Sequence, residues 1–242
     1  MLGTDLMKLT RRLVVIPAVV VAVVVAGIGG YGLLTFFWHK APPPLALSSP
    51  SASAGAGSLA GRWKIAAGSE AGYRVREKFI NQPAPTEAVA RTSAITGSLA
   101  IASQGDQFVV QAVNFSADVA KLQSVDTYAT YQAFQRDGFV SGLYLQTAQY
   151  PTATFKADKV TPPQVSASAG PATMVGHGRL TLHGVTRDVD VPLTVQMNGN
   201  RIELVGSIGL EMPDYGIEVP KIGFTQSEPH AIIEFHLFLA RG

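Results

Sequence analysis

No cysteine occurs among the 242 residues. That absence removes disulfides, thiol nucleophiles and cysteine-based metal sites together. An oxidising compartment permits disulfides without demanding them, so location must be argued from other features. Blocks of like charge are missing as well. Four of the 19 basic and one of the 17 acidic side chains precede Gly61, which leaves the rest of the chain near a net charge of −1. Binding to nucleic acid by counterion release needs a basic face, so no nucleic-acid partner is expected. Charge is wholly lacking from residues 13–38, a run of 26 residues.

That run reads LVVIPAVVVAVVVAGIGGYGLLTFFW. A bilayer core about 30 Å thick needs about 20 apolar residues at 1.5 Å each, so the run predicts a transmembrane helix with some tilt. It is long for the apolar region of a cleaved signal peptide. Lys8, Arg11 and Arg12 precede it, and Tyr31, Phe36, Phe37 and Trp38 sit toward its far end. The positive-inside rule then places residues 1–12 in the cytoplasm and the remainder outside, a single-pass arrangement in the cell membrane. Ala26 and Gly30 form a small-xxx-small pair of the kind that brings two helices together, although small residues are common in such spans. Residues 39–60, rich in Pro, Ser, Ala and Gly, read as a linker, stiff at Pro42–Pro44 and flexible beyond, with a reach of roughly 25 Å.

From Gly61 to Gly242 the period switches to two. In AGYRVREKF, Tyr73, Val75 and Phe79 fall on one side and Arg74, Arg76 and Lys78 on the other, the mark of a strand with one dry and one wet face. Residues 93–103 and 108–117 form a second pair, separated by the turn-like Gln104-Gly105-Asp106. Phe155 stands among small residues in ATFKAD. Leu180 and Leu182 share a face, as do Val189, Val191, Leu193 and Val195. Asn198-Gly199-Asn200 is a hairpin signal. The last strand, AIIEFHLFLA, alternates less cleanly and reads as covered on both faces. Residues 124–138 alone have helical spacing, through Tyr128, Tyr131 and Phe134, with Ser124 placed to cap the helix and Gly138 to end it. The pattern predicts an all-β domain over 61–242, an antiparallel barrel or sandwich of about eight strands with a short helical insert. A barrel of that size either closes over its own side chains or holds one small ligand. Ala112, Ala117, Ala153 and Gly206 recur at expected inner positions and leave room for a cavity, but pattern alone keeps both outcomes open.

Several pieces fall in one order: Gly61-Arg62-Trp63-Lys64-Ile65, Thr92 to Leu99, Arg136-Asp137, Tyr150-Pro151-Thr152-Ala153-Thr154-Phe155, Gly178-Arg179-Leu180-Thr181-Leu182-His183-Gly184-Val185-Thr186, and Asp214-Tyr215-Gly216-Ile217. In this the chain resembles the YceI-like family of bacterial extracytoplasmic proteins, over essentially all of residues 61–242. The resemblance implies a lipocalin-like barrel whose apolar interior holds a long-chain lipid, a polyisoprenoid or isoprenoid quinone. It also implies a place in the bacterial envelope, and some members are homodimers. Members are usually secreted whole, so a retained anchor is a variation. Met212-Pro213 stands where many relatives carry Arg-Ser. The family has no catalytic motif to transfer.

The five histidines offer no metal site. His177 and His183, like His230 and His236, are six residues apart, about 20 Å along a strand, too far to share one ion. His183 reads as a turn-shaping hydrogen bonder. The nucleophile elbow and the phosphate loop are both missing, so no catalytic residue, metal or cofactor other than the lipid is expected. A lipid tunnel needs apolar lining, since each buried CH₂ contributes about 0.8 kcal/mol without a partner. The expected ligand-binding residues are Tyr73, Val75 and Phe79, then Val113, Phe115 and Phe155. Leu180, Leu182, Val191 and Leu193 complete the wall, with Tyr131 and Phe134 closing one end. The reading is therefore a membrane-anchored lipid or quinone binder. The alternative is an envelope interaction module with a solid core.

Overall fold

The computed structural model describes residues 23–24, 27, 41–49, 59–80, 85–104, 107–126, 136–160, 170–223 and 225–242. Residues 23, 24 and 27 are helical. The remainder of the expected span lies outside the described residues, and among those no helix is long and apolar enough to cross a membrane. Tyr131 and Phe134 lie outside them too.

The alternating segments form twelve strands: β1 (Gly61–Ile65), β2 (Glu70–Phe79), β3 (Thr86–Thr92), β4 (Ile95–Gln104), β5 (Gln107–Asp118), β6 (Gln123–Ser124), β7 (Thr152–Val160), β8 (Ala172–Leu182), β9 (Val185–Asn198), β10 (Arg201–Glu211), β11 (Lys221–Ile222) and β12 (Thr225–Arg241). Antiparallel pairing runs β1-β4-β5-β7-β8-β9-β10-β12, and β12 returns to β1. β12, at 17 residues, pairs with β10 along one edge and with β2 and then β1 along the other. β2 and β3 extend the β1–β4 pair, so the result is a closed eight-stranded antiparallel barrel. Closure removes the free sheet edges that an open sheet would expose.

Trp63 sits at the seam. It is 1% exposed, packs with Leu99, Ile202 and Leu239, donates its indole N–H to the Leu59 carbonyl at 2.9 Å, and lies under the Arg241 guanidinium at 5.0 Å. His183 and Gly184 turn β8 into β9 with φ of 50° and 76°, the two left-handed residues that a tight hairpin demands. His183 also receives the reading given to it, its Nδ1 3.2 Å from the Tyr215 carbonyl and its ring 4.5 Å from that of Tyr150.

Two expectations change. Ala112 does not face inward: it sits exposed in a β-bulge at φ 51°, where the β4–β5 register slips between Ser98 and Ala100. One extra residue reverses the parity, so Phe108 and Val110 share the inner face with Val113, Phe115 and Ala117. Gly206 faces inward but leaves no room, because a Cβ there would stand 2.5 Å from Phe235. The helical insert differs at both expected ends, while residues 127–135, with Tyr128, lie outside the described residues. Ser124 lies in β6, and helix covers residues 136–139 and continues as a π-helical turn over Val140–Tyr144, past Gly138. The Ser124 N–H and hydroxyl both donate to Asp137.

Residues 41–49, from the proline-rich stretch, lie across the outer wall. Proline has no N–H, so Pro42 and Pro43 offer only carbonyls, and Arg74 and Arg91 donate to them at 2.9 Å each. Farther along, the Leu45 N–H reaches Glu234, the Ser48 N–H and hydroxyl donate to Glu203, and Gln196 donates to the Ser48 carbonyl. The segment thus crosses from β3 and β2 over β12 and β10 to β9. It covers Glu203 and Glu234, outward residues that are 0% and 3% exposed. This is why β12 is covered on both faces around Glu234.

Burial alone would raise the Glu203 carboxyl, but hydrogen bonds from Ser48, Gln196 and Asn198 outweigh it and hold the group down to about 2, against 4.5 unperturbed. A carboxyl depressed in the fold stabilises it fully above its unfolded value and loses that contribution as pH falls toward the folded one. The chain is therefore expected to lose about 3 kcal/mol from this group between pH 4.5 and 2. Melting curves of the protein and of Glu203→Gln across that window check it: the gap between the two should close as pH falls. A gap that does not change with pH would refute it.

Candidate functional site

The inner face of the barrel encloses a cavity of two lobes. The first, about 250 Å³, is walled by Tyr73, Val75 and Phe79 of β2 with Leu182, Leu210 and Met212, and by Phe139, Val140 and Tyr144 of the helical insert. The second, about 240 Å³, is walled by Val113, Phe115, Phe155, Leu180, Val191 and Leu193 among others. Ala71, Ala117, Ala153 and Ile233 belong to both walls, so the lobes meet at a waist made mostly of alanine. Ala117 and Ala153 are direct cross-strand partners there. The interior is thus hollow rather than solid. Together the lobes reach the size range of small-molecule pockets, about 300–1,000 Å³.

All ten expected lining residues that are described face this cavity: Tyr73, Val75, Phe79 and Leu182 in the first lobe, the other six in the second. The waist alanines, apart from Ala117 and Ala153, and the insert residues Phe139, Val140 and Tyr144 carry no sequence signal of their own. The second lobe is almost wholly apolar. The first has a polar pole.

At that pole Glu77 and Arg136 line the lobe together with Thr225 and Ser227. Arg136 binds Asp126 through both terminal nitrogens, Nη1 to Oδ2 at 2.9 Å and Nη2 to Oδ1. Its Nε and Nη2 donate to Ser124 Oγ at 3.2 and 2.6 Å, and Glu77 Oε2 stands 3.9 Å from Nη1. Burial opposes the charge on Arg136, but the bond to Asp126 outweighs it and raises the group further. Tyr73 lies against the same cluster. Burial pushes its phenol well above the ordinary range, with Arg136 lowering it and Glu77 raising it, so the hydroxyl stays neutral. Glu77 carries a legible signal, since its parity puts it on the dry face with Val75 and Phe79.

Three of the family-like pieces, residues 150–155, 178–186 and 214–217, meet at one corner beneath this lobe. Gly178 is held to glycine because a Cβ would stand 2.7 Å from the Lys156 carbonyl, and Gly184 because it would meet Tyr150 at 2.7 Å. Met212–Tyr215 form a 3₁₀ turn that ends at Gly216 with φ 67°. Met212 and Ile217 complete the lobe wall, so the Met212-Pro213 departure leaves the turn intact.

A closed barrel of eight strands around an apolar cavity defines a lipocalin-like, small-ligand-binding class of fold. Within it the YceI-like domain model matches residues 63–237. The chain belongs to the YceI-like family. Among solved structures it is similar to a polyisoprenoid binding domain from Saccharophagus degradans implicated in plant cell wall breakdown, at 17% identity and a TM-score of 0.51, covering 76% of this chain and 99% of that one. That likeness shows the fold. BcnA of Burkholderia cenocepacia follows at 19% identity, a TM-score of 0.45, and 69% and 95% coverage. The YceI protein of Campylobacter jejuni follows at 12%, 0.39, and 68% and 84%. No curated protein matches by sequence.

Proposed function

We propose that this protein is a binding protein, not an enzyme, which holds a long-chain isoprenoid lipid or quinone in its barrel. The observation that carries the reading is the two-lobed apolar cavity with a narrow alanine waist. That shape suits a long thin chain better than a compact ligand. Burial supplies most of the affinity, at about 25 cal/mol per Å² of apolar surface removed from water. The Saccharophagus domain, similar in fold, is described as binding polyisoprenoid. The proposal includes a tether. The uncharged stretch of residues 13–38 anchors the chain in the cell membrane, with the barrel on the extracytoplasmic side. Because residues 41–49 lie on the barrel wall, the barrel would ride close to the bilayer that supplies its ligand.

Mass spectrometry of an organic extract of the purified full-length protein tests the binding. One long-chain lipid per barrel is the expected result. A protein that repeatedly purifies empty, and takes up no prenyl lipid on incubation, would sink the reading. Alkaline extraction of membranes tests the tether: the chain should remain with the bilayer.

A further inference from the structure

We infer that the first lobe selects a lipid whose head is uncharged and ends in a hydroxyl, a prenol or a reduced quinone, and rejects the corresponding phosphate. The inference rests on the lipid-binding reading and deepens it. Three observations carry it.

The only cation lining the polar pole, among the described residues, is Arg136. Its guanidinium is a fork of five donors, and the protein has already engaged it. Nη1 and Nη2 grip Asp126, Nε and Nη2 reach Ser124, and Nη1 faces Glu77. A phosphate needs such a fork free to bind it in the bidentate way. This one is spent.

Charge around the pole is also of the wrong sign for an anion. Among the described residues Arg136 is the single positive group there, whereas Glu77, Asp126 and Asp137 are carboxylates within its hydrogen-bonded cluster. Arg74, Arg76 and Lys78 alternate with the inward residues of β2 and so point away from the lobe. A phosphate placed here would meet net negative charge in a medium that screens poorly.

Thr225 supplies the third observation. Its hydroxyl is buried, lines the lobe, and has no hydrogen-bond partner. Thr225 pairs with Phe79 and Ser227 with Glu77, so Thr225 and Glu77 are diagonal neighbours on one face of the wall. A buried polar group normally has a partner, so an unpartnered hydroxyl on the cavity wall marks where a ligand atom belongs. A ligand hydroxyl lying between the two would donate to the Glu77 carboxylate and accept from Thr225. An alcohol or phenol fits both roles. A bare hydrocarbon satisfies neither.

The test is a competition. The full-length protein in detergent is incubated with an equimolar mixture of geranylgeraniol, geranylgeranyl phosphate and the headless hydrocarbon of the same skeleton, and bound species are counted by native mass spectrometry. The alcohol should exceed the phosphate by about a hundredfold, the weight of one like-charge contact at interior permittivity. It should exceed the hydrocarbon by about tenfold. Comparing variants in the same mixture cancels unequal partition into micelles. Glu77→Gln should narrow the alcohol-to-phosphate ratio by about tenfold or more. Thr225→Val should cut the alcohol-to-hydrocarbon ratio severalfold while raising the melting temperature of the empty protein, because it deletes an orphaned hydroxyl. A gain in melting temperature without a change in that ratio would mean that the hydroxyl is only a packing defect. Equal binding of all three compounds would overturn head-group selection and leave the lipid reading standing. Binding of none would overturn both.

Discussion

Replacing Ala153 by Phe is expected to strip the purified protein of its lipid while leaving the barrel folded. Ala153 and its cross-strand partner Ala117 form the waist together with Ala71 and Ile233, and they are the point where the two lobes share a wall. A chain that occupies both lobes must pass between these side chains. A benzyl group at this point fills the passage and divides the cavity. In a packed core the same insertion would force neighbours off their rotamers at about 1–3 kcal/mol. Here the added ring enters existing space, so the stability change should stay under about 1 kcal/mol. Two measurements on one preparation decide it: lipid per barrel by mass spectrometry, and the urea midpoint. A folded Ala153→Phe protein still carrying a full complement of lipid would show that the ligand does not thread the waist. Loss of stability by several kcal/mol would show that the waist is packed rather than open.

Replacing Trp63 by Ala should have the largest effect on the fold. The indole is 1% exposed and stands on β1, the short strand that joins β4 to β12 and thereby closes the ring. Removing so large a buried side chain typically costs about 3–5 kcal/mol, part from lost burial and part from the void. The Leu59 carbonyl would lose its donor, and Arg241 the ring beneath it. Against a usual total of about 5–15 kcal/mol, that is a large share of what holds a domain together. Urea unfolding followed by tyrosine fluorescence or circular dichroism measures it. A loss below about 1.5 kcal/mol would mean that the seam is held by the β12 ladder alone.

The strand content was legible because a barrel wall has one dry and one wet face, and alternation writes that difference into the sequence. Tyr73, Val75 and Phe79 are the plainest instance, and they line the first lobe as a set. Parity fails wherever the backbone gains a residue. Ala112 shows this: its bulge turned a residue of inward parity outward, and nothing in Gln111-Ala112-Val113 announces the slip. Outward position likewise says nothing about burial when another segment lies on top. Arg74 falls on the wet side of the alternation, yet it is buried, and Gln196, Glu203 and Glu234, whose side chains also face outward, are buried with it and make hydrogen bonds or ion pairs beneath or beside residues 41–49. A stretch of Pro, Leu, Ala and Ser has no period from which docking can be read. The polar pole was half visible. Glu77 stood out of place on an apolar face, but its companion Arg136 lies 59 positions away, brought near by the path of the insert. Sequence spacing carries no trace of such a meeting.

The course of residues 41–49 also determines how the molecule would respond to a pull. The segment crosses the strands rather than running along them, and its contacts come one by one: Arg74 and Arg91, then Glu234, then Glu203 and Gln196. Tension applied at residue 41 would load these bonds in succession, as in peeling, instead of sharing the force among all of them, as in shear. Each net bond is worth only about 1 kcal/mol, so the segment would come away in small steps at low force. The barrel beneath, bound by long ladders into a ring, would keep its shape and its contents. A fixed mounting at rest would thus become a longer leash under load.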